Sequence, residues 1–164
     1  MSTNHTTPRT GLFSFPDPVN EVSARLVAAG VVAMALAAIA FDLRWLTVVI
    51  AYGFVARVLT GPTLSPLGLL VTRVVTPRLG VAPRYVPGPP KRFAQGVGVA
   101  FSVTAAVLAL GLDRWGAAQA VLGLLAAAAF LEAALGLCLG CKAFALLMRT
   151  GVIPAEVCER CDDL

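Results

Sequence analysis

The chain has 164 residues, a formal net charge of +4, 58% hydrophobic and only 13% charged residues, and a mean hydropathy of +0.83. So apolar a composition excludes an ordinary soluble domain and reads as an integral membrane protein in contact with lipid. The basic excess does not point to nucleic acid, because Lys and Arg flank apolar segments and do not gather on one soluble face.

Residues 1–21 hold Pro8, Pro16 and Pro18 and lack a basic start ahead of an apolar run, so they read as a flexible N-terminus and not a cleavable signal peptide. The first span is expected over Val22–Phe41, interrupted only by Arg25, and the second over Trp45–Gly61, with Arg57 near its end and Gly61-Pro62 as its stop. Both are near the roughly 17–25 residues a helix needs to cross a bilayer. Ser65 is placed to cap a helix with Pro66 in its first turn, and Leu67, Leu70, Val71, Val74 and Val75 recur at helical spacing. This predicts an interfacial amphipathic helix over 65–77, with Arg73 and Arg78 at lipid phosphates. A Pro- and Gly-rich linker over 83–90 is not expected to continue a helix.

The third span is expected over Phe93–Leu112, with Gln95 near its start, and the fourth from Trp115 to Cys141, holding Glu132 and continuing to Arg149. Beyond it, a turn over Thr150–Ile153 and a short helix begun by Pro154 lead to the end of the chain. The expected fold is therefore an all-α membrane protein: four transmembrane helices as two hairpins, the interfacial helix between them, and a short cysteine-bearing tail over 150–164. The membrane domain is 22–149.

Both hairpin turns are short, and each is followed by a tryptophan: Asp42-Leu43-Arg44 by Trp45, and Asp113-Arg114 by Trp115. Tryptophan there suits an interface anchor. Of the 13 Lys and Arg residues, only Arg44 and Arg114 fall in these turns. The positive-inside rule then places both termini, the central loop and every cysteine on the cytoplasmic side of the cytoplasmic (inner) membrane.

Gly61-Pro-Thr-Leu-Ser-Pro-Leu, Pro77-Arg-Leu-Gly, Pro89-Pro-Lys-Arg-Phe-Ala-Gln-Gly and Gly136-Leu-Cys-Leu-Gly-Cys-Lys carry a resemblance over roughly Asp17 to Arg149. Together they resemble a bacterial family of small integral membrane proteins catalogued as domain of unknown function 4395. The resemblance implies a multi-span protein with a CxxC, associated with thioredoxin-like and sulfurtransferase proteins and without a settled activity.

The 4 cysteines form two CxxC pairs, Cys138/Cys141 and Cys158/Cys161, in the order C-x2-C-x16-C-x2-C. In a reducing compartment such pairs favour metal ligands or redox thiols over permanent disulfides. The spacing suits a four-cysteine zinc site, in which all four would be ligands and the tail would be locked as a scaffold. The favoured reading, to which the zinc scaffold is the alternative, is a thiol-redox or sulfur relay. In it Cys138 and Cys141 form the membrane-proximal dithiol, and Cys158 and Cys161 hand on to a cytoplasmic thioredoxin-like or sulfurtransferase partner, with Lys142 as the cation beside Cys141. Against the relay, both thiols of the first pair are expected at the carboxyl end of the fourth span, where the helix dipole disfavours a thiolate. Folding the tail back about Gly151 is expected to bring Cys161 opposite Cys141.

Arg57, Gln95 and Glu132 form a second candidate site inside the spans. A buried carboxylate needs a partner or a proton, and Arg57 is the expected partner of Glu132. On one continuous helix Glu132 and Cys138 would lie about 240° apart and share no face. The sole histidine, His5, sits in the N-terminal segment, so no Ser/His/Asp arrangement is available.

Overall fold

The computed structural model describes residues 13–158. Helix α1 (Glu21–Ala40) begins where the Asn20 side chain accepts the Val22 backbone N–H at 3.0 Å, and α2 (Leu46–Thr60) runs back to Gly61. Ser65 caps α3 (Pro66–Leu70) as expected, but helical structure continues beyond Pro77. A π-helical turn over Val71–Val75, closed by the Thr76 N–H on the Val71 carbonyl, leads without a break into α4 (Thr76–Leu79), so Pro77 follows a turn whose ordinary helical register is already widened.

Helix α5 (Gly88–Ala106) extends as a π-helical turn over Val107–Gly111, and α6 (Trp115–Leu135) follows. Three segments, Glu21–Ala40, Gly88–Gly111 and Trp115–Leu135, are long and apolar enough to cross a membrane, whereas the apolar α2 is shorter. Their outward faces carry Leu36, Val103, Leu124 and Phe130, all exposed, as helices solvated by lipid require.

The 83–90 linker is shorter than expected. Gly88-Pro89-Pro90 are the first turn of α5, since proline is preorganised for that position and lacks only an N–H the helix leaves orphaned. Asp17 Oδ1 accepts the Gly88 N–H at 3.0 Å. A two-stranded antiparallel sheet, β1 (Val19–Asn20) with β2 (Tyr85–Val86), ties the chain before α1 to the linker.

Helix α1 packs along α6 and α2 along α5, with α5 also against α6. Ala28, Val31, Ala35 and Ala38 of α1 meet Leu122, Leu125, Ala126 and Ala129 of α6 in the core, so small residues let the helices approach closely. At Gly98 an added Cβ would stand 2.2 Å from Phe54. The two hairpin turns meet at one end: Arg44 pairs with Asp113, and Trp115 Nε1 donates to Asp42 Oδ1 at 2.6 Å. The repeated Asp-Arg-Trp pattern thus joins the hairpins.

Contrary to expectation, helix α6 does not run on to Cys141. It stops at Leu135, and Gly136 adopts φ 68°, the left-handed conformation that ends a helix most cheaply at glycine. Arg25 bonds the carbonyls of Ala133 and Ala134 at 2.9–3.1 Å, satisfying the orphaned acceptors of that helix end. A separate helix, α7 (Leu139–Arg149), then packs on α5.

Candidate functional site

Because α6 ends early, Cys138 is the N-cap of α7 and not the last turn of a span. Its Sγ accepts the Cys141 backbone N–H at 3.3 Å. The pair therefore sits at a helix amino end and not at the carboxyl end expected from the sequence, and partial positive charge there favours a thiolate. The crossing that holds α7 there depends on Gly140, whose added Cβ would lie 2.5 Å from Ala94 Cβ and 2.6 Å from Ala94 Cα. No other residue permits that approach of α7 to α5.

Cys138 and Cys141 are free thiols, each 8% exposed, and both line a cleft of about 310 Å³ between the linker, the start of α5 and the start of α7. A hydrogen bond from the Cys141 thiol holds Cys138 below the usual thiol range. Lys91 and the Cys141 N–H act in the same direction, while burial and the Glu132 carboxylate oppose them. Cys141 is pushed far up by that same hydrogen bond and then by burial. The two sulfurs are thus unequal, with Cys138 the one that ionises first.

The expected Arg57–Glu132 contact is not made. Glu132 Oε1 accepts from Lys91 Nζ at 2.6 Å, with side-chain exposures of 15% and 9%. Lys91 reaches it because Gly88-Pro89-Pro90 are helical and bring Lys91 to the first turns of α5. Arg57 instead donates to Gln95 Oε1 at 2.9 Å and to Ser65 Oγ at 3.2 Å. Breaking the helix at Gly136 also removes the angular separation of Glu132 and Cys138, and the two line one small cavity with Gln95. Lys142 is exposed on the rim of the thiol cleft, whereas Lys91 is the ammonium that acts on the sulfurs.

Helix α7 ends at Arg149, Gly151 takes φ 76°, and a 3-10 turn over Ala155–Val157 follows, as the sequence predicts for the tail. Cys158 is disulfide-bonded and buried in a small cluster with Phe144, supported by Phe93, Met148 and Ile153. Among the described residues, no three His, Cys, Asp or Glu side chains gather as a metal site. His5 and Cys161 lie outside the described residues.

The cation under the thiols was hidden in the sequence by the prolines before it, and the only signals for it were Pro89-Pro90 at a permitted helix start. Comparison with known families gives a match over residues 19–149. No curated protein and no solved structure matches the chain.

Proposed function

The chain belongs to the family described as Domain of unknown function (DUF4395), and we propose that it performs thiol–disulfide exchange at a membrane surface through Cys138 and Cys141. The observation that carries this reading is Cys138 at the amino end of α7, accepting the Cys141 N–H and opening on a cleft. The Cys138 thiolate attacks one sulfur of a partner's disulfide and expels the other as a thiolate, leaving a mixed disulfide. Cys141 then passes its proton to the partner thiolate just expelled, attacks Cys138 Sγ and releases the second partner sulfur as a thiolate. Two electrons pass to the partner, and the reverse sequence returns them. The partner class is a thioredoxin-like or sulfurtransferase protein, with lipid around the bundle.

A four-cysteine zinc site is less well supported, because a sulfur held in a disulfide, as at Cys158, offers no thiolate to a metal. Equilibrating the purified chain with mixtures of reduced and oxidised glutathione, then alkylating and weighing the peptide holding residues 138 and 141, tests the proposal. The pair should convert between dithiol and disulfide in one two-electron transition. A pair that stays reduced across the whole series would exclude the reaction.

The finer membrane arrangement belongs to the same proposal: four spans with α2 as the short one, the 65–77 segment at the interface, and both termini and the cysteines on the cytoplasmic side. A cytoplasmic disulfide is normally transient and catalytic, so sidedness bears directly on what Cys158 does. Single reporter cysteines at Leu43 and Asp113 in an otherwise cysteine-free chain should react with an impermeant reagent from outside the cell, and one at Val86 should not. The opposite pattern would place the dithiol outside the cytoplasm.

A further inference from the structure

A second, partly open cavity of about 270 Å³ lies beside the thiol cleft and is bordered by the segment before α1 together with α1, α2, α3 and α5. Phe15, Pro18 and Val27 contribute to its largely apolar wall, and Arg57 and Gln95 lie at its polar side. Arg57 is 5% exposed. Its neighbours Gln95 and Ser65 are neutral acceptors, and its guanidinium stands 4.5 Å from the centre of the Phe54 ring. Among the described residues no carboxylate forms an ion pair with it, and the nearby Glu132 is already bonded to Lys91. Arg57 is therefore a desolvated cation with no directly bonded counter-ion among the described residues, attracted to the Glu132 carboxylate only across space, which is costly unless an anion joins it. The π-helical turn over Val71–Val75 brings Thr72 to the same wall, and such turns recur at functional sites.

We propose that this cavity binds an amphiphile carrying a single anionic group, with its carboxylate or phosphate oxygens on the Arg57 guanidinium and its apolar body along Phe15, Pro18 and Val27. One cation selects one negative charge, and the apolar wall selects the body attached to it. The site is separate from the exchange reaction, touching it only through Lys91, which borders both cavities.

Native mass spectrometry of the full chain in a non-ionic detergent tests this, with oleate, phosphatidylglycerol and the uncharged oleyl alcohol offered separately. Oleate or phosphatidylglycerol should be retained about tenfold more strongly than the alcohol, the worth of one charge-assisted hydrogen bond. Preference for oleate identifies a free acid as the ligand, and preference for phosphatidylglycerol identifies a membrane lipid. Arg57→Gln should reduce retention of the acid to that of the alcohol. Ala24→Phe, which fills the wall without altering the guanidinium, should abolish retention while leaving the glutathione titration of Cys138 and Cys141 unchanged, and it decides the matter if Arg57→Gln fails to fold. Equal retention of acid and alcohol by the unaltered chain, or undiminished retention in Ala24→Phe, would overturn the proposal.

Discussion

Cys141→Ser is expected to stall the chain as a mixed disulfide through residue 138, while Cys138→Ser forms almost none. With Cys141 gone, a Cys138 thiolate still attacks oxidised glutathione but has no neighbour to resolve the product, so about one glutathione per chain should accumulate. Peptide mapping places the adduct and separates it from any exchange at Cys158. The asymmetry follows from the site: Cys138 receives the thiol and backbone hydrogen bonds of Cys141, whereas Cys141 is the donor and is held protonated. Alkylation of Cys138 should accordingly rise with pH about a midpoint below that of an ordinary cysteine. Cys141→Ala removes the donor and should move that midpoint up. Equal adduct formation in the two serine variants would mean that the helix start does not distinguish the sulfurs.

Hydropathy alone located the apolar helices within a residue or two at most ends, because lipid-facing length is set by the bilayer and not by tertiary contacts. Glu21–Ala40 against the expected Val22–Phe41, and Leu46–Thr60 against Trp45–Gly61, show how directly that signal reads. The end of α6 was invisible to it, since the sequence stays apolar through Leu135, Leu137 and Leu139. What marked the break was Gly136 followed two residues later by a side chain able to cap a new helix, and cysteine is not among the usual capping residues. A similar ambiguity in the sequence hides the site's cation. Taking Pro89-Pro90 as linker put Lys91 in the loop and left Arg57 as the nearest partner for Glu132, although proline is at home in a first helical turn. The junction of the two hairpin turns was legible only as an echo in sequence; that Asp42 serves Trp115 and Asp113 serves Arg44 is a tertiary fact.

The Lys91–Glu132 pair should be the most costly polar contact to break one partner at a time. Lys91→Met leaves a buried carboxylate alone and should destabilise the bundle by about 3–5 kcal/mol in thermal unfolding in detergent, whereas joint replacement as Lys91→Met with Glu132→Leu should restore most of that loss. Arg57→Gln should couple to Glu132→Gln more weakly than Lys91→Met does, because Arg57 bonds Gln95 and Ser65 and meets the carboxylate only across space. A purely structural pair would end there. The charges also act on Cys138 in opposite directions, the ammonium favouring its thiolate and the carboxylate opposing it. In variants that remain folded, the alkylation midpoint of Cys138 should move up in Lys91→Met, down in Glu132→Gln, and little when both are replaced. Stability changes without those opposed shifts would mean that the pair holds α5 to α6 but does not set the reactivity of the thiol above it.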